Sequence, residues 1–260
     1  MKVRSSTLVT AAAAIAAVAV LKSFILFQVT ATDASLQPAV QRGDRLLVSR
    51  LACGLSPMAR LTGRTAARQA QWPRRGSIVA YQDPLASQPR PRWHSSLRLA
   101  RCLSLPGDTL WLYMAHESAD TLRPRPVWRP FIVPRQGRPV AVTPWNKALL
   151  ANALRMHEGV NVCDGDSASL VVDGQPMRHI VFTQDYVWLS ARGDSALVAD
   201  SRVFGFLPTR LLAGSALCIS YSKQPGTPPW HGYRSQRLLR PLRPQTGSTP
   251  RAATPPSHRP

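Results

Sequence analysis

The chain has 260 residues, 44% of them hydrophobic, with 33 Lys and Arg against 13 Asp and Glu for a net charge of +20. That length and apolar content exclude a wholly disordered chain and allow one or two domains with a real core. The 24 prolines point to long loops or tails. A charge this basic suits nucleic acid or an anionic membrane surface, but no Cys/His zinc spacing or RNA-binding signature accompanies it, so nucleic acid is not an expected partner. The cations are almost all arginine, the four lysines being Lys2, Lys22, Lys147 and Lys223. Cys53, Cys102, Cys163 and Cys218 are widely spaced and read as small hydrophobes, with room for one disulfide. No histidine has ligand spacing, and the chain calls for no metal or organic cofactor.

In chain order, Lys2 and Arg4 precede an apolar run over 8–21, which continues past Lys22 to residue 29. Taken as 8–29 it approaches the ~20 residues that span a bilayer. A cleaved signal peptide fits the charged head and Ala-rich centre equally well. Past residue 30 the pattern is strands and turns. Arg45–Val48, Ser77–Tyr81, Thr109–Tyr113, Leu170–Val172, Tyr186–Leu189 and Ala216–Tyr221 are predicted strands. Asp173-Gly174 signals a hairpin. The spacing of Leu149, Leu150, Ala153 and Leu154 before Gly159 predicts a short helix over 146–157. Residues 53–75 and 84–96 read as loops. From Lys223 the chain is a basic, Pro-rich tail, disordered over 247–260.

Four segments stand in a fixed order behind the apolar run. They are Ala34-Ser35-Leu36-Gln37-Pro38, Arg42-Gly43-Asp44-Arg45-Leu46-Leu47-Val48, Arg101-Cys102-Leu103-Ser104-Leu105-Pro106-Gly107-Asp108, and Gly193-Asp194 with Asp200-Ser201-Arg202 through Pro208. Together they resemble the bacterial type I signal peptidases, membrane serine endopeptidases with a Ser–Lys dyad. The resemblance covers roughly residues 20–222. It implies a mainly β fold: a signal-peptidase-type sheet over 30–222 with a cap insertion near 112–185. It also implies that 8–29 is a retained transmembrane anchor behind a cytoplasmic head, 1–7, with residues 223–260 as the tail. The location implied is the bacterial inner membrane, with the main domain on the periplasmic side. Lys2 and Arg4 agree with that orientation.

By the same resemblance Ser35 holds the nucleophile position, and its general-base lysine falls on Ala100. A serine needs a base to take its proton, and alanine cannot. Arg98 and Arg101 stay protonated. His94 lies about 20 Å along an extended strand. Asp33 occupies the oxyanion-serine position, where an ionised carboxylate repels a developing oxyanion; as a replacement base it is weak, and the reach of an i, i+2 pair is not assured. Val198 stands where a serine supports the lysine. Asp200 and Arg202 keep a structural ion pair. Val29, Ala31 and Leu99 fall on positions that line shallow pockets for small side chains, although each also suits ordinary core packing. The implied activity is cleavage, or at least binding, of signal peptides of exported preproteins. The alternative is an inactive paralogue that binds signal peptides or an active partner peptidase. Membrane lipid is the remaining implied partner.

Overall fold

The computed structural model describes residues 25–51, 72–86, 97–115, 126–166, 168–191, 200–228 and 230–245. The main sheet begins with β1 (Leu26–Thr30), β2 (Asp44–Ser49), β3 (Ile78–Gln82) and β4 (Leu97–Ser104). It is completed by β12 (Tyr186–Ser190), β13 (Leu207–Pro208), β14 (Leu212–Ser222) and β15 (Arg240–Pro241). The order is β1-β2-β14-β3-β4-β12-β13, with β15 added to β14, and every pairing is antiparallel. β14 shifts register against β2 and β3 at three places. Such bulges bend and twist a strand, and they curl the sheet around β14.

Strand periodicity sorts the core. Along β3, Ile78 and Ala80 join Val29, Ala31, Leu36, Leu46 and Leu99 in one cluster. Val79 and Tyr81 join Ala100, Cys102, Leu189 and Phe204 in another. Successive side chains of a strand point to opposite faces, so neighbours Leu99 and Ala100 belong to different layers. Each fully buried aliphatic side chain contributes roughly 1.5–3 kcal/mol.

Between β4 and β12 lies a second body. It contains β5 (Thr109–Ala115) paired with β6 (Pro126–Ile132), and β7 (Pro139–Ala141) paired with β11 (His179–Val181). A meander of β8 (Val162–Asp164), β9 (Leu170–Val172) and β10 (Gln175–Met177) follows the expected hairpin at Asp173-Gly174. The expected helix is α1 (Lys147–Ala153), continued by a wider π turn over Leu154–Glu158 that ends at left-handed Gly159. Leu150, Leu154, Leu170, Phe182 and Phe206 build its core.

Among the described residues no helix is long and apolar enough to cross a membrane. The expected head and most of the expected anchor, through residue 24, lie outside the described residues. The anchor's expected end needs correction: Leu26–Val29 are strand, paired with Leu46–Ser49. Their backbone groups are used by β2, so a helix cannot include them.

The sequence gives no sign of how the basic, Pro-rich tail is placed. Residues 223–245 fold back along the sheet, through a bridge between Lys223 and Tyr233, a 3₁₀ turn at Ser235–Arg237, and β15. Leu242 packs against the cluster of Val29 and Leu99, and the Gln245 amide donates to Gly76 O. The sequence hid this because single apolar residues among prolines carry no period. Residues 246–260 lie outside the described residues. Cys102 is buried, Cys218 is half-buried and Cys163 is exposed, all three as free thiols; exposure sets Cys163 apart from the expected buried hydrophobe. Cys53 is outside the described residues.

Candidate active site

Ser35 sits in a turn after β1, not in a strand. Asp33 builds that turn: its Oδ1 accepts from the Ser35 amide at 3.1 Å and also from the Ser35 hydroxyl. An aspartate that accepts from the amide two residues on is an Asx turn. The reach that an i, i+2 pair on a strand does not assure is present here, because the chain turns and brings the two side chains together. Gln37 N then donates to Ala34 O, and Val40 N to Leu36 O, each at 3.1 Å. Leu36 and Val40 thereby point into the core while Ser35 is 5% exposed.

The turn is anchored from behind by Asp44, which is fully buried. Its Oδ2 accepts from Gln41 N at 2.8 Å and from Arg237 Nη2 at 2.5 Å, and its Oδ1 from Arg237 Nε at 3.1 Å. Burial alone would raise this carboxyl, but the Arg237, Gln41 and Ser222 hydrogen bonds outweigh it and hold it below the usual carboxylate value. Arg237 Nη2 also reaches Ala39 O at 2.9 Å, tying the C-terminal segment to the Ser35 turn. Gly43 has φ +90°, and a Cβ there would overlap the Lys223 carbonyl oxygen, so this position admits only glycine.

Ala100 pairs with Val79 and is fully buried. It packs with Val79, Tyr81, Cys102 and Leu189. Burial, together with the carboxylates of Asp83, Asp200 and Asp33, raises the Tyr81 phenol well above its usual value, against the opposing charge of Arg98. Of the lysines in the described residues, Lys147 donates to Gly165 O at 2.7 Å in the second body. Lys223 stands 5.8 Å over the Tyr233 ring. His94 and Val198 lie outside the described residues, as do Gly193 and Asp194.

A cleft of about 10 Å³ is lined by Ala31, Asp33, Leu36, Val40, Leu97 and Leu99, with Thr30 and Thr32 at its rim. That volume holds little more than a water or a methyl group. Ala31 and Leu99 are thus at the cleft, whereas Val29 is not among its lining residues and packs in the core cluster. Leu36, Val40 and Leu97 were missed as lining residues; Leu97 was legible, standing two before Leu99 on one strand. β1 lies at the edge of the sheet beside this cleft.

Beside the middle of β4, where Ser190 pairs with Arg101, Arg202 Nε lies 2.9 Å from Asp200 Oδ2. Asp200 also caps α2 (Ser201–Phe204) and accepts from Ala191 N at 3.0 Å, while Ser201 Oγ accepts from Leu189 N at 2.9 Å. These bonds staple both ends of the segment that would carry Val198 to β12.

This combination of a curled antiparallel sheet, a serine in the turn after its edge strand, and a small cleft between that turn and β4 defines a peptidase-type scaffold. The family model described as "Signal peptidase, peptidase S26" matches residues 4–221, and the chain belongs to that signal peptidase family. No curated protein matches the chain.

Proposed function

We propose that this chain binds N-terminal signal-peptide segments of exported proteins and does not cleave them. The observation that carries this reading is Ala100, fully buried in an apolar layer at the position of the base. General-base catalysis contributes about 10²–10⁴ in rate, and the methyl group of Ala100 cannot take a proton. The single carboxylate oxygen Asp33 Oδ1 also takes both the Ser35 hydroxyl and the Ser35 amide. An acceptor beside the nucleophile opposes oxyanion formation, and it occupies a backbone donor that would otherwise stabilise one. The binding half is supported by the shallow cleft of Ala31, Leu36 and Leu99, sized for a small side chain, and by the β1 edge, which suits strand addition.

The same proposal places the apolar segment before Leu26 in the bacterial inner membrane, the head 1–7 in the cytoplasm and the sheet domain on the outer face. There the lipid surface and an active family member would be its neighbours. A second reading rests on the Ser35–Asp33 hydrogen bond: Asp33 takes the Ser35 proton and the protein is a slow peptidase.

Both readings meet in one assay. Full-length protein in detergent is incubated with a preprotein carrying an Ala-x-Ala site, beside Ser35→Ala and Asp33→Asn. Signal-peptide binding without cleavage supports the first reading. Cleavage lost in both variants supports the second and overturns the first.

A further inference from the structure

The segment beyond residue 221, where the family match ends, builds something of its own. Against the Arg42-Gly43-Asp44 turn it encloses an open groove of about 500 Å³. One wall is Arg42 and Arg45; the other is Tyr221, Lys223, Gln224 and Tyr233. Thr30, Ala31 and Thr32 line the groove as well and also line the small cleft, so the two cavities adjoin the same three residues.

The groove is cationic by construction. Among the described residues no Asp or Glu lines it, and no ion pair involves Arg42, Arg45 or Lys223. Two of these cations are nevertheless held in place. Arg45 lies 5.4 Å over the Tyr221 ring and Lys223 5.8 Å over the Tyr233 ring, and the two rings are 6.1 Å apart. Cation–π contacts of this kind orient a charge without neutralising it. The backbone that carries them is fixed as well, because Lys223 N donates to Gly43 O at 3.1 Å and Arg234 Nη1 to Ser222 Oγ at 3.2 Å. Arg237, the buried cation among the described residues, is by contrast paired with Asp44, whereas Arg42 and Arg45 face solvent. Pre-positioned cations without carboxylates call for an anion from outside.

We propose that this groove binds an acidic stretch of an extended polypeptide whose neighbouring small residue occupies the cleft of Ala31 and Leu99. The proposal deepens the signal-peptide reading and rests on it for the second half. Charge complementarity selects the acidic residues, and the adjacency of groove and cleft at Thr30–Thr32 favours one extended chain over a separate ligand. The groove then favours preproteins with Asp or Glu close to the Ala-x-Ala segment.

The test measures fluorescence anisotropy of full-length protein in detergent with three labelled peptides. One is a neutral Ala-x-Ala signal peptide, one has a Glu-Asp-Glu stretch beside that segment, and one is the acidic stretch alone. The acidic signal peptide is expected to bind about tenfold tighter than the neutral one at low salt. The advantage should shrink at ~0.5 M salt and vanish in Arg42→Glu/Lys223→Glu. Arg138→Glu/Arg178→Glu, which makes the same charge change on exposed residues of the second body, should keep it. Equal binding of the two signal peptides, or equal loss in both double variants, overturns the proposal. If neither signal peptide binds, the signal-peptide reading fails; capture of the acidic stretch alone through Arg42 and Lys223 still supports a cationic peptide site, and no capture overturns it. Phosphatidylglycerol vesicles bound through the same two cations, without any peptide binding, overturn it in favour of lipid.

Discussion

Asp33 and Asp44 flank the same short turn and have opposite surroundings. Asp44 is fully buried and meets the Arg237 guanidinium through both oxygens. Asp33 is exposed and accepts from the amide and hydroxyl of Ser35. Ala100, on the strand across the cleft, is uncharged and fully buried. Where charge holds the fold, it is paired and kept: Asp44–Arg237 and Asp200–Arg202 both close loops onto the sheet. Around Ala100, the proposed base position, the packing is apolar. The difference teaches that the ion pairs that close loops onto the sheet and the residues around the proposed site are separable, because they are different side chains.

The sharpest way to break this comparison is Ala100→Lys. An ammonium placed among Val79, Tyr81, Cys102 and Leu189 has no carboxylate engineered to meet it, and should cost about 3–5 kcal/mol of stability. Urea unfolding measures that cost, and a cleavage assay should show no strong activity, since Asp33 and Val198 are unchanged. A stable, vigorous peptidase from this one substitution would refute the view that the site was lost as a unit.

Arg237→Ala probes the opposite side. It leaves the Asp44 carboxylate buried without its guanidinium and frees Ala39 O. A loss of about 3 kcal/mol is expected, read as a lower urea midpoint. A change below ~0.5 kcal/mol would mean that the C-terminal segment does not brace the Ser35 turn.

The pH dependence should follow the same pair. Asp44 has a folded value below its unfolded 3.8, so the unfolded chain takes up a proton first as pH falls. Its contribution is present in full above pH ~4 and is lost below that, as pH descends toward the folded value. Thermal melts of wild type and Asp44→Asn should converge as pH falls from 5 to 3; parallel curves over that range would remove Asp44 as a source of acid sensitivity.

The smallest effect is expected for Ser35→Ala. The hydroxyl contacts Asp33 and is outside the cleft lining, so signal-peptide affinity should change less than about twofold and stability by ~1 kcal/mol or less. A large loss of binding would place Ser35 in the peptide contact itself.

The sequence alone carried the mainly β class, the short helix that stops at Gly159, the Asp173-Gly174 hairpin and, through four ordered segments, the family. These are local facts: turn chemistry, strand alternation and motif order are written in neighbouring residues. By resemblance it also set the expected base position at Ala100, next to Arg101. It did not show that Asp33 reaches Ser35, because a strand and an Asx turn are both compatible with Thr32-Asp33-Ala34-Ser35, and only the fold of the turn on Leu36 and Val40 decides between them. Nor did it separate Val29 from Ala31 as core and cleft residues. The role of residues 223–245 was hidden most completely. Arg237 meets Asp44, and Lys223 meets Gly43, across the whole length of the chain. Such pairings depend on where the sheet brings distant backbone together, and tertiary structure alone determines that.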